Sequence, residues 1–171
     1  CLPGMIRKGA GSIVNIASVA GLIGGHPKLL YPTSKGAVVQ MTRAMATHHG
    51  PDGVRVNCIC PGMVYTPMVY TRGMSDDARE ARKNRSLLQV EGTGWDVGNA
   101  VAFLASDAAR WITGAVLPVD AGTTAGRHRE EGERRSLRPR RVILGLDPGN
   151  SRSGREAAGG PRIKSEDDGS R

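Results

Sequence analysis

Three short runs rich in β-branched and small apolar residues alternate with four stretches patterned as helices. Residues 1–8 read as the last turns of a helix closed by Gly9 and Gly11. The run SIVNIAS, residues 12–18, is apolar at consecutive as well as alternating positions. That pattern predicts a strand buried on both faces of a parallel sheet. From Tyr31 to His49, Ala37, Val38, Met41, Ala44 and Met45 fall at helical spacing, and GPDG at 50–53 breaks the chain. VRVNCIC, residues 54–60, is the next predicted strand, ended by Pro61-Gly62. A polar helix is predicted over Ser75–Leu88 and a second after Thr93. There Thr93 can cap the first turn while Asp96, three residues on, reciprocates, and AVAFLA supplies a buried face. GAVLPVDAG, residues 114–122, reads as a final strand with a turn.

The resulting order is helix end, strand, helix, strand, helices, strand. It predicts an α/β fold with a parallel sheet covered by helices. Open doubly wound sheets are built from two halves, and three strands make one half. The chain also opens on Cys1 without a start signal, so it reads as entered in the middle.

Charge divides the chain near Gly126. The formal net charge is +8, with twelve basic against eight acidic residues both in 1–126 and in 127–171. The second segment reaches that count in 45 residues, is rich in Arg, Gly, Ser and Glu, and is poor in apolar residues. It is predicted to be a disordered, low-complexity tail. Arginine-rich segments bind nucleic acid through phosphates, but Glu130, Glu131 and Glu133 dilute this one, and nucleic acid is not expected as a partner. Within it, VILGLDPGNSRSG faintly resembles the opening strand of Holliday-junction resolvases. One carboxylate, Asp147, cannot make a two-metal site.

Cys58 and Cys60 alternate, so on a strand they face the same way. They read as small buried hydrophobes rather than a metal or redox pair, and no metal site is expected. With only Cys1 besides, the chain lacks a disulfide framework, which fits a reducing, cytoplasmic setting. No run is long and apolar enough to span a bilayer, so no membrane partner is expected.

The candidate chemistry lies in SVAGLIGGHPKLLYPTSKG. Ser18 stands at the carboxyl end of a predicted parallel strand, where such folds place ligands. Tyr31 follows thirteen residues later and Lys35 one helical turn after that. Moving a hydride to or from a carbonyl carbon requires a proton to move at the oxygen. A free phenol titrates near 10, so a tyrosine serving that role near neutral pH needs a cation beside it. Ser18 would hold the substrate oxygen in place for transfer.

Ser18, Tyr31-x-x-x-Lys35 and PGMVYTPM, with GSIVNIASVAG, HGPDGVRVNCICPG and VAFLASDAARWITGAVLPVDAG in that order, resemble the classical short-chain dehydrogenase/reductase family over about residues 1–125. The resemblance implies residues 1–126 to be the catalytic, C-terminal half of a Rossmann-like doubly wound sheet, followed by the 127–171 tail. It implies an NAD(P)-dependent oxidoreductase acting on a small alcohol or carbonyl substrate, and a homo-oligomer in the full-length family member. Ser18, Tyr31 and Lys35 become catalytic, with Tyr31 as general acid and base. Tyr31, Lys35, Pro61, Gly62, Val64 and Thr66 become cofactor-binding: Lys35 grips the nicotinamide ribose, the Val64 backbone meets the carboxamide and the Thr66 hydroxyl meets the pyrophosphate. The segment from Val69 to Leu88 becomes the substrate lid. Its Arg79, Arg82, Lys83 and Arg85 could attract an acidic substrate or carrier, although such residues are more often a solvated helix face. His26 lies in the loop beside the site, while His48 and His49 fall at a helix end, where cations are favoured.

Residues 1–17 contain no G-x-x-x-G-x-G phosphate loop. The residue that selects NAD or NADP belongs to the same region, so neither cofactor is preferred on this sequence. The chain is therefore expected to be an inactive fragment by itself. The alternative reading is a non-catalytic binding module with a basic, nucleic-acid-binding tail.

Overall fold

The structure is a computed structural model and describes residues 1–71 and 73–126. The expectations for residues 127–171, the tail and Asp147 among them, lie outside the described residues. Helix α1 spans Leu2–Lys8 and closes at Gly9, strand β1 Gly11–Ile16, helix α2 Leu30–His49 and strand β2 Val54–Pro61. Short helices α3 (Pro67–Tyr70) and α4 (Asp76–Lys83) follow, then α5 (Gly94–Ala105) and strand β3 (Val116–Val119). The three strands form one parallel sheet in the order β1-β2-β3. Register runs from Gly11 opposite Val54 to Ile16 opposite Ile59, and from Cys58 opposite Val116 to Pro61 opposite Val119.

The period of two along β2 sorts its side chains between two helical layers. Val54, Val56, Cys58 and Cys60 pack toward α2, against Ala17, Val39 and Ala46. Ile59 faces the other way, against Leu104 of α5 and Ala109. Ile59 and Leu104 are fully buried, each worth about 1.5–3 kcal/mol relative to an exposed position. Polar residues on that face are paired: Asn57 donates to the Ile112 carbonyl at 2.9 Å and accepts from Ala115 N–H at 3.0 Å. Arg55 donates to the carbonyls of Leu104, in the last turn of α5, and of Ser106, just past its end.

Three expectations needed adjusting. Strand β1 is half-buried rather than buried on both faces, and Ile16 is 43% exposed, because β1 is an edge of this sheet. The inward stripe of α2 is Val38, Val39, Thr42, Met45 and Ala46, whereas Ala37, Met41 and Ala44 face outward. A threonine sits inside because its hydroxyl donates to Val38 O and accepts from Asn15 Nδ2 of β1. The helix expected over Ser75–Leu88 keeps its start, with Ser75 Oγ accepting from Ala78 N–H, but stops at Lys83. Ser86, buried, turns its hydroxyl back to the Lys83 carbonyl, and Leu88 N–H pairs with Ala121 O.

The capping box of α5 is as read: Thr93 N–H donates to Asp96 and Asp96 N–H to the Thr93 hydroxyl. The Thr93 hydroxyl, donating to the Asp96 carboxyl at 2.7 Å, and then the Thr93 N–H hold that carboxyl below its ordinary range. Among the described residues, no helix is long and apolar enough to cross a membrane.

Candidate active site

The carboxyl ends of parallel strands expose backbone and turn residues that no further pairing covers. In doubly wound folds they bound the ligand crevice. Here Ala17 N–H still pairs with Ile59 O at 2.8 Å, and Ser18 then opens a single 3₁₀ turn, Val19–Gly21. The Ser18 Oγ accepts from Ala20 N–H at 3.2 Å, which orients the side chain at the strand end. The turn is pressed against the start of α2, since a β-carbon on Gly21 would lie 2.6 Å from the Lys35 carbonyl carbon. A residue without a side chain is what allows this approach.

Tyr31 occupies the first turn of α2 and is 42% exposed, open to a substrate. The His26 ring lies beside it, centroids 5.0 Å apart, its Nδ1 accepting from Lys28 N–H. Lys35 places its Nζ 5.7 Å from the Tyr31 ring centroid and donates to Ile16 O at 3.5 Å. The ammonium thus bridges the end of β1 and the tyrosine, with donors left for a ligand.

The second wall follows β2. Gly62 N–H pairs with Val119 O, and a β-carbon on Gly62 would fall 2.7 Å from Asp120 Cα. Asp120 itself is held by N–H groups of Gly122 and Thr124. Val64 N–H turns back to Gly62 O, and Val64 forms a parallel bridge with Gly92. Thr66 caps α3 through its backbone, and its hydroxyl has no hydrogen bond among the described residues.

Ser18, Tyr31, Lys35, Pro61, Gly62, Val64 and Thr66, all seven residues singled out in the sequence, line one cleft of about 540 Å³. Its other walls include Met63, Val69 and Val97, apolar positions that carry no sequence signal of their own. His26 and Arg82 also line it. These donors suit a nicotinamide nucleotide: an ammonium for ribose hydroxyls, a threonine hydroxyl for a phosphate, and apolar walls for a ring.

The remaining residues considered as candidates lie elsewhere. His49 Nδ1 is 3.5 Å from Asp52 at the end of α2. Cys58 and Cys60 face the same way with sulfurs 4.0 Å apart, both fully buried. Burial first, and Cys58 beside it, push the Cys60 thiol up to about 12.

A family profile described as enoyl-(acyl carrier protein) reductase matches residues 1–124. A meso-2,3-butanediol dehydrogenase of Serratia marcescens is 47% identical over 120 residues, covering 70% of this chain and 47% of that protein. An oxidoreductase of Burkholderia thailandensis, of the short-chain dehydrogenase/reductase family, superposes with a TM-score of 0.66 at 42% identity. That match covers 74% of this chain and 49% of the other. A 4-hydroxyisoleucine dehydrogenase mutant complexed with NADH and succinate gives a TM-score of 0.69 at 33% identity, covering 74% and 53%. The chain spans about half the length of the curated relatives it matches.

Proposed function

The chain belongs to the short-chain dehydrogenase/reductase family, and on that premise we propose that residues 1–126 form the catalytic half of an NAD(P)-dependent oxidoreductase acting on an alcohol or carbonyl substrate. The observation that carries this reading is the convergence of Ser18, Tyr31, Lys35 and Thr66 on one cleft at the carboxyl ends of the strands. A module that only binds would not need a proton-transferring hydroxyl and an ammonium beside each other.

Tyr31 moves the proton at the substrate oxygen, giving it when a carbonyl is reduced and taking it when an alcohol is oxidised. Ser18 donates a hydrogen bond to that oxygen and fixes its position. Lys35 favours the ionised phenol by its positive charge and holds the ribose of the cofactor. Thr66 and the Val64 backbone address the pyrophosphate and carboxamide. When bound, the nicotinamide supplies or accepts the hydride at the substrate carbon.

Residues 1–17 hold no glycine-rich phosphate loop, so this chain addresses the nicotinamide end and offers the pyrophosphate only Thr66. Backbone N–H groups at a helix start are the usual anchor for its pyrophosphate. The isolated chain is therefore expected to bind NADH and NADPH weakly and to turn over nothing. Calorimetric titration of the chain tests this, alone and with the amino-terminal half of the Serratia marcescens relative added in trans. Tight binding and alcohol oxidation by the isolated chain would refute the half-site reading. A complemented pair that binds NADH or NADPH but, supplied with NAD or NADP as hydride acceptor, oxidises no alcohol would refute the oxidoreductase reading.

A further inference from the structure

Arg79, Arg82, Lys83 and Arg85 lie on and just after α4, and their spacing in the sequence does not separate their roles. Their partners do. Arg79 donates through Nε and Nη2 to Glu91 and lies over the Tyr65 ring, 4.1 Å from its centroid. Lys83 donates to Glu80 at 3.2 Å. Each of these two cations has a carboxylate beside it.

Arg82 and Arg85 do not. Arg82, half-buried, makes one side-chain hydrogen bond among the described residues, from Nη2 to Val64 O at 3.5 Å. Among the described residues neither guanidinium has an acidic partner within ion-pair distance. A guanidinium carries five N–H donors in a planar fork, so most of this capacity is available to a ligand.

Their position gives that capacity a use. Arg82 lines the reaction cleft and also an adjoining compartment of about 260 Å³, where Arg85 joins it. The two spaces share Val19, Ala20, His26 and Met63 besides Arg82, so they adjoin. Ile23 and Pro27 complete an apolar lining, and among the described residues no Asp or Glu lines either space. Cations against apolar walls attract an anion more strongly than the same charges in open water. Glu91, the carboxylate that also feels Arg82, lines a different cavity.

We infer that Arg82 and Arg85 form a specificity subsite for a substrate carboxylate, making the preferred substrate a small hydroxy or keto acid. The inference rests on the dehydrogenase reading for its alcohol end, which Ser18 and Tyr31 would hold. A short apolar linker fits between the two ends, along Val19 and Met63.

The test is direct binding to the full 171-residue chain without nicotinamide, so its outcome is separate from that of any turnover assay. 3-Hydroxybutanoate and its uncharged analogue 3-hydroxybutanamide are titrated at fixed ionic strength and followed by ligand-observed NMR. The carboxylate is expected to bind about tenfold more tightly than the amide, as charge-assisted hydrogen bonds to a guanidinium predict. Arg82→Gln and Arg85→Gln should each reduce that preference, and Arg82→Lys should restore part of it. Arg110→Gln, beside the amino ends of β1 and β2, should leave it intact. Circular dichroism of each variant checks the fold. Equal binding of the two probes, no binding of either, or a preference that survives both Gln variants would overturn the subsite. None of these results would bear on whether a complemented enzyme oxidises a neutral alcohol.

Discussion

Gly21 and Lys35 are in backbone contact: a β-carbon on the glycine would lie 2.6 Å from the lysine carbonyl carbon and 2.9 Å from its oxygen. The contact joins the turn that follows Ser18 to the helix that carries Tyr31, although fourteen positions separate the two residues in the sequence. Gly21→Ala should therefore push the Ser18 turn away from α2. Overpacking of this kind costs about 1–3 kcal/mol, readable as a lower urea midpoint. A variant as stable as the parent would show that the turn has room to move.

Tyr31 and Lys35 should fail differently when changed. In a complemented, active pair, Tyr31→Phe keeps the ring and removes only the hydroxyl, so cofactor binding should persist while turnover falls by about a hundredfold or more. Lys35→Met should weaken both, because one ammonium serves the phenol and the ribose. Rates within tenfold of the parent for Tyr31→Phe would remove it from the proton-transfer role.

The Arg79–Glu91 pair should make the attachment of α4 acid-sensitive. The hydrogen bonds from Arg79 hold the Glu91 carboxyl below its ordinary value, with Arg82 and Lys83 adding to the effect. Tyr65 and Asp76 are the other charged or titratable neighbours of Arg79. A carboxyl depressed in the folded state stabilises above its unfolded value, and that contribution is lost as pH falls through the folded one. Exchange protection in α4, measured against the intrinsic amide rate at each pH, should thus fall on acidification below the ordinary carboxylate range, and Glu91→Gln should flatten the response. An unchanged profile in the variant would exclude this pair as the cause.

Thiol chemistry should distinguish Cys1 from the other two cysteines. Cys1 is exposed, whereas Cys58 and Cys60 are buried and burial pushes the Cys60 thiol up to about 12. A thiolate is the reactive species, so a thiol reagent at mildly alkaline pH should titrate one group in the native chain and three after unfolding. Rapid native labelling of all three would mean that β2 opens readily.

Asn57 should be a stability residue rather than a site residue. Its amide is buried and ties β2 to Ile112 and Ala115, just before β3. Asn57→Leu leaves a carbonyl and an N–H without that partner, at about 1–3 kcal/mol for each group that stays unpaired. A denaturation midpoint equal to the parent's would mean that water replaces the amide.

What the sequence determined by itself was local or periodic. The Thr93–Asp96 capping box spans three residues, and the strand runs and the Tyr31–Lys35 spacing are set by backbone geometry that neighbours along the chain already specify. The grouping of Ser18, Tyr31, Lys35 and Thr66 around one cleft was legible for the same reason: their intervals put them at strand ends and helix starts, where a parallel sheet opens. Tertiary structure alone decided the rest. How far SIVNIAS is covered depends on the strands and helices packed around it, and among the described residues β1 is flanked by a strand on one side only. The inward place of Thr42 depends on Asn15, twenty-seven positions away. Which arginine of the 79–85 cluster meets the cleft depends on where Glu91 captures Arg79, and on Val64 lying under Arg82. Such contacts are made across space between groups that no periodicity relates, so only the packed chain could choose among them.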